Sequence, residues 1–494
     1  MPDQSPLAAS RALRWTFVAG VIAIPFDAIR GIPAVGELGN EASFPLFAAA
    51  IAMGLFTALR SGSNRLSSSL ALKIGAGIVA AVLLSWAVNA AAIDSAMIRE
   101  RSGENKFATS LLVILYGVGL AWLCEQFDAG EVRTVLTRAI SWSAAIVAAY
   151  ALFELIARQG PLSGLFNLVD GLVHTRQNAI INPWDGSVNY KVLYGWDARL
   201  RSVSFEPPAF GNFCGLAWPW LWFAAVTAAP ARQLRAWALL AFFTLAVIVG
   251  QSRTGMLILG VELGGLLLLR WVYAARWPTG QATAEARVLL PVIAILGLVA
   301  AALFASTHAD VIVAGIVSGD SVSDLSRLGF QASAFQMFAA HPLLGVGLGQ
   351  FAFHAAQYLP DWAYRSSEVA PMLYYPDGPW PASYSLYARL AAELGLAGLI
   401  GWIGLWLDLA AALARKIRDR VQNGESGYGI EYPLALTALG ILASAVATDT
   451  FRTPMIWIAL GCSAAVVRGA RAARREAATP APEPRAAAAR PRSR

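Results

Sequence analysis

Charge is what this chain has least of. Asp, Glu, Lys and Arg make up 14% of its 494 residues, against roughly 25% in soluble domains. A chain of this length with so few charges cannot cover a water-facing surface. Cysteine is also scarce. Cys124, Cys214 and Cys462 lie far apart, each in or beside an apolar run, which excludes a disulfide framework and a clustered metal site. His308 and His354 have no partners at ligand spacing, so no zinc site is expected.

Apolar residues fill the space that charge leaves. Hydrophobic residues reach 57% and the mean hydropathy is +0.54, as in membrane proteins. The 17 tryptophans and 43 glycines agree, because membrane helices tolerate glycine and carry interfacial aromatic belts. The net charge of +7 would suggest nucleic acid in a soluble protein. Here the basic residues recur in loops on one side of the apolar runs, so no nucleic-acid partner is expected.

Apolar runs fall at 14–28, 42–59, 69–92, 108–124, 136–157, 208–228, 234–250, 254–275, 288–306, 384–412, 432–449 and 453–468. Most approach the roughly 20 residues needed to cross the hydrocarbon layer. The pattern predicts an all-α polytopic membrane protein with about twelve transmembrane helices in one domain over 1–470. The first run lacks a good cleavage pattern and further runs follow at once, so it reads as a retained helix. Lys and Arg mark the cytoplasmic side: Arg60, Arg65 and Lys73; Arg232 and Arg235; Arg415, Lys416, Arg418 and Arg420. Both termini then lie in the cytoplasm, and two long loops, 158–207 and 307–383, lie outside. One loop dissents: 93–107 should be outside, yet it carries Arg99, Arg101 and Lys106. The basic Ala/Pro-rich tail 471–494 is expected to lack structure.

The outer loops hold the polar residues. The first ends in Arg199-Leu-Arg201-Ser-Val-Ser-Phe-Glu206-Pro207-Pro208. Alternation puts Arg199 and Arg201 on one face of an extended segment, and the prolines can start a helix near 208. A helix N-terminus at 209–211 offers free N–H groups to an anion. Two readings stand: the arginines pair with Glu206 or lipid headgroups, or they bind a phosphorylated ligand. Arg253, in Gln251-Ser252-Arg253-Thr254-Gly255, sits at a tight hairpin between two spans. It is either an interfacial arginine or a planar fork for pyrophosphate. In the second loop, helical spacing continues from Arg327 to Ala340 and stops at His341-Pro342. Gly345, Gly347 and Gly349 then permit a tight turn or close backbone approach. His341 either caps that helix or acts chemically. From Tyr358 to Pro381, aromatics interleave with Asp361, Arg365 and Glu368, which suits either sugar stacking or an interfacial belt.

These stretches resemble the O-antigen ligase and O-antigen/exopolysaccharide polymerase family, polytopic inner-membrane glycosyltransferases that use polyprenyl-pyrophosphate-linked glycans. The resemblance rests on Ser204-Phe-Glu206-Pro207-Pro208-Ala-Phe210-Gly211, on Ser252-Arg253-Thr254-Gly255, on His341-Pro342-Leu-Leu-Gly345-Val-Gly347-Leu-Gly349 and on Glu393-Leu-Gly395-Leu-Ala-Gly398-Leu. In the family's ligases a His followed by Asn, Ser or Gln precedes the last of these and is thought to assist the acceptor hydroxyl. Gly395 and Gly398 fit that frame, Ser385 fits, and Tyr384 stands where the His would be. An unperturbed tyrosine, with a pKa near 10, is a poor base, so the departure favours a polymerase over a strict ligase.

The resemblance thus implies transfer of a glycan from polyprenyl pyrophosphate to a sugar hydroxyl or a lipid-linked acceptor at the outer face of a bacterial inner membrane. No metal or other cofactor is expected, because the leaving group is already activated. Candidate catalytic residues are Glu206, Arg253 and Tyr384. Candidate substrate or pyrophosphate-binding residues are Arg199, Arg201, Arg253, Arg327, His341, Arg365 and Arg389. Polymerisation of repeat units is the leading expectation and ligase-like transfer to another acceptor the alternative. A glycan transporter is the competing class, but the polar residues gather in two loops rather than at broken midplane helices.

Overall fold

The computed structural model describes residues 10–29, 32–60, 65–158, 161–175, 200–250, 252–273, 322–376, 378–425 and 427–478. Nearly all its regular structure is helical. Among the described residues the strands are one antiparallel pair, Met97–Ile98 with Arg101–Ser102.

Six described helices are long and apolar enough to cross a membrane: Leu70–Ser95, Gly103–Glu125, Ala129–Ala157, Pro230–Val249, Arg253–Val272 and Leu386–Gln422. This corrects the expected count of about twelve. Run 288–306 lies outside the described residues. The other five form helices that are shorter or less apolar. Run 14–28 gives Arg11–Ala23, 13 residues, and Pro25, with no N–H to donate, cannot carry the helix further. Runs 42–59 and 432–449 give Phe44–Arg60 and Glu431–Ser444, of 17 and 14 residues. Run 453–468 begins at Pro454 and continues as a helix to Ala478. It therefore passes residue 471, through an Ala- and Arg-rich stretch of strong helix formers.

Run 208–228 becomes the helix Pro207–Thr227, with 21 residues. Its tryptophans and prolines lower its hydropathy, yet it is the centre of the bundle. It packs on the Pro230, Arg253 and Glu431 helices and on the helix ending at Ala157. Phe210, Trp218, Trp220, Trp222 and Phe223 are fully buried, and the Trp218 indole N–H donates to Thr244 Oγ1 at 3.0 Å. Pro207 and Pro208 occupy the first helical positions, where their missing N–H groups cost nothing. Glu206 precedes them in extended backbone, φ −146° and ψ 159°.

Residues 322–383 form a cap with its own apolar core of Phe330, Met337, Phe351, Leu359, Val369 and Met372. Burying such side chains stabilises by about 1.5–3 kcal/mol each. The cap contains the helix Val322–Ala340, ending at His341-Pro342 as the sequence pattern indicates.

The dissenting basic loop 93–107 packs on this cap. Arg99 and Glu100 take φ of 50° and 63° to close the hairpin. The Arg99 guanidinium donates to the carbonyls of Gly378 at 2.6 Å, Pro371 at 3.0 Å and Met372. Arg101 lies 5.1 Å from the centre of the Trp380 ring and Lys106 5.8 Å. The hairpin and the cap therefore share one end of the bundle, and the hairpin's cations serve the cap.

Candidate functional site

Two glycines bring the first two motifs together. A Cβ added at Gly255 would stand 2.9 Å from the Gly211 Cα and O, and one added at Gly211 would collide with the Ser252 side chain. Only bare backbone permits the Pro207 and Arg253 helices to approach so closely. Their N-termini, each the positive end of a helix dipole, are thereby set side by side. Ser252 caps its helix, its Oγ accepting from the Gly255 N–H at 3.2 Å.

Arg253 is the first residue of that helix. A cation at a helix N-terminus opposes the dipole, so local helix stability does not account for it. Its guanidinium is exposed and lies 2.8 Å from the Asp324 carboxylate, in the first turn of the cap helix. The pair ties the bundle to the cap and shows that this fork accepts an oxyanion.

Tyr384 stands nearby, just ahead of the Leu386 helix. Its backbone is left-handed, with φ 55°. Such a conformation in a non-glycine residue costs on the order of 1–3 kcal/mol and persists where surroundings enforce it. Its phenol donates to the Met372 sulfur at 3.5 Å, a weak acceptor. The Arg327 guanidinium lies 5.6 Å from the ring centre, and the Phe330 ring 6.3 Å away packs beside it. Burial pushes the phenol pKa up. The negative charges of Glu368, Asp449 and Glu206 add to this, and Arg327 opposes it. Tyr384 is therefore a neutral phenol. Glu368 faces the same group of charges: burial raises its pKa, Arg327 opposes, and Asp324 adds. Glu206 is exposed at the mouth of the Pro207 helix.

The glycine motif and the Glu393-Leu394-Gly395 motif prove to be halves of one joint. The Leu386 helix breaks at Gly395, with φ 64° and ψ −154°. The carbonyls of Ala392 and Glu393 lose their helical partners and accept instead from the N–H groups of Val346 at 2.9 Å and Gly347 at 3.0 Å. The N–H groups of Leu396 and Ala397 donate to Pro342 and Leu343 carbonyls at 2.8 and 3.5 Å. Leaving one such buried group unpaired costs about 1–3 kcal/mol. Gly345 takes φ 63° here, and a Cβ on it would strike the Glu393 backbone. Arg389 is buried beside the joint. It bonds Glu393 Oε2 at 3.1 Å and the Asp449 carbonyl at 2.7 Å, and lies 5.5 Å from the Phe451 ring centre.

The remaining candidates sit apart. Arg201 is buried and bonds Asp170 Oδ2 at 2.7 Å. His174 Nδ1 is 2.9 Å from Asp170 Oδ1. Burial acts to raise the Asp170 pKa, but His174 and Arg201 outweigh it and hold the carboxyl below its ordinary value. His341 is exposed, with Nε2 3.3 Å from the Tyr358 hydroxyl. Arg365 is exposed at the end of a short 3-10 helix, Asp361–Arg365. Trp362, Tyr364, Tyr374 and Tyr375 are exposed on the cap. Arg199 lies outside the described residues. Sequence reasoning missed Asp324 as the partner of Arg253 and Asp449 as a neighbour of Tyr384. A carboxylate between two short apolar runs was the one signal for Asp449.

Among the described residues, the fold and this site define a largely helical protein with a helical cap, with six helices suited to crossing a membrane. Residues 238–403 match the family model described as O-antigen ligase, so the resemblance carried by the motifs holds over that stretch. It contains Arg253, the glycine turn, Tyr384 and the Gly395 break. No curated protein matches the chain.

Proposed function

We propose that the protein transfers a glycan from polyprenyl pyrophosphate to an acceptor hydroxyl, as an O-antigen ligase does, at the outer face of a bacterial inner membrane with both termini in the cytoplasm. The match to the ligase family over 238–403 carries this reading, and the site supplies parts suited to it. The acceptor oxygen attacks the anomeric carbon. The bond from that carbon to the pyrophosphate breaks, and the pyrophosphate leaves with the electron pair. Arg253, at paired helix N-termini, would meet the growing negative charge, displacing Asp324 from the guanidinium. The raised pKa makes Tyr384 a hydrogen-bond donor that orients an acceptor oxygen rather than a base. The proton then passes to a carboxylate, Glu206 or Glu368. Arg327 would bind the acceptor side, while Arg389 supports the site from behind. Exposed cap aromatics suit the apolar faces of sugar rings.

A second reading, polymerisation of lipid-linked repeat units, is favoured by Tyr384 standing in place of the ligase histidine. One experiment separates them. Purified protein is given a lipid-linked repeat unit alone, and then with a lipid A-core or other acceptor. Transfer only after the acceptor is added is the ligase outcome. A ladder on the polyprenyl carrier is the polymerase outcome. Transport with no new glycosidic bond would reject both.

A further inference from the structure

We propose that Asp449 is a positioning residue for Tyr384: its carboxylate clamps the Ser383–Tyr384 backbone in the left-handed turn that points the phenol at the acceptor. The proposal rests on the transfer reading above, and Asp449 lies beyond the stretch that matches the ligase family.

A single carboxylate oxygen makes the clamp. Asp449 Oδ2 accepts from the Ser383 N–H at 2.9 Å, from the Tyr384 N–H at 3.2 Å and from the Ser383 hydroxyl at 3.3 Å. Both amides belong to the turn in which Tyr384 has φ 55°. Neither donates to a main-chain carbonyl among the described residues, so the carboxylate stands in for secondary structure at the strained residue. The clamp itself is braced. The Asp449 carbonyl accepts from Arg389 Nη1 at 2.7 Å, and Arg389 is held by Glu393. Next to it, the Leu386 N–H donates to Thr448 and Ala445 carbonyls at 2.7 and 2.8 Å. The segment 445–449 thus fixes both the start of the Leu386 helix and the turn before it.

A role in positioning and a role in bracing the helix predict different kinetics. The test is a double-mutant cycle on purified full-length protein with a lipid-linked glycan donor and its acceptor. Asp449→Ala should lower kcat on the order of 100-fold, as small displacements of reacting groups do, with KM little changed. Asp449→Asn keeps an acceptor oxygen for both amides and should recover most of the loss. In a Tyr384→Phe background, Asp449→Ala should lower kcat little further, because the group it positions has gone. Equal losses in both backgrounds would overturn the proposal and leave Asp449 a brace. Should the alanine variant not accumulate, Asp449→Glu replaces it: the longer arm should lower kcat with Tyr384 present and be neutral in the Tyr384→Phe background. Equal losses from Asp449→Glu in both backgrounds would again overturn it. A wild-type protein that transfers no glycan would overturn the transfer reading, and this proposal with it. An active wild type with an additive cycle overturns the proposal alone.

Discussion

Gly211 and Gly255 meet backbone to backbone, so closely that a Cβ placed on Gly255 would lie 2.9 Å from the Gly211 Cα. That contact sets the spacing between the helix that follows Glu206 and the helix that begins at Arg253. Gly255→Ala should therefore cost about 1–3 kcal/mol through overpacking and lower the melting temperature in detergent. Gly264→Ala, in the same helix with open space around it, should be neutral or stabilising by up to about 1 kcal/mol. Equal behaviour of the two variants would mean that the contact is not tight.

Arg253→Ala should lower turnover with a polyprenyl-pyrophosphate-linked donor by about 100- to 1,000-fold, the scale for losing one preorganised group at a developing charge. Lysine should restore only part, because it lacks the planar fork. Unchanged turnover at normal membrane abundance would remove Arg253 from the chemistry.

Burial raises the Glu368 pKa, and the sign of its effect follows. Below the raised value Glu368 is protonated and accepts no proton, so kcat/KM should climb with pH through a limb above the usual glutamate value of about 4.3. Glu368→Gln should flatten that limb if Glu368 is the acceptor, and Glu206→Gln should do so if Glu206 is. For stability, a folded pKa raised above the unfolded one gives a contribution fully present below the unfolded value. It is lost as pH rises through the folded value. Glu368→Gln should thus reduce the fall in stability across that window.

Arg99→Ala should release the cap from the 97–102 hairpin. Hydrogen bonds from a charged donor are worth about 1.5–3 kcal/mol, so amide exchange in 371–380 should speed up by at least about tenfold. Exchange in the Pro207 helix should not change. Uniform acceleration across the chain would indicate global destabilisation instead.

Much of the fold was legible from local signals. The Pro207-Pro208 start, the helix up to Ala340 and its stop at His341-Pro342 all follow from backbone rules acting within a few residues. The span count was not, because hydropathy registers apolar runs and not packing. The Pro207 helix carries three tryptophans and three prolines and still lies at the centre. The site was legible in its parts and not in its pairings. Arg253 stood out, but Asp324 lies far along the chain, and nothing local joins them. Arg99 looked misplaced until its carbonyl partners at 371, 372 and 378 were visible.

The Gly395 break carries a wider consequence. Where the Leu386 helix opens, its peptide groups are answered by the turn at 342–347, and the turn's groups by the helix. Each stretch supplies the hydrogen-bond partners that the other would otherwise lack. Losing either would leave the opposite one to find partners in an apolar surrounding. Two segments some fifty residues apart are therefore constrained as one heritable unit, able to vary in step but not separately.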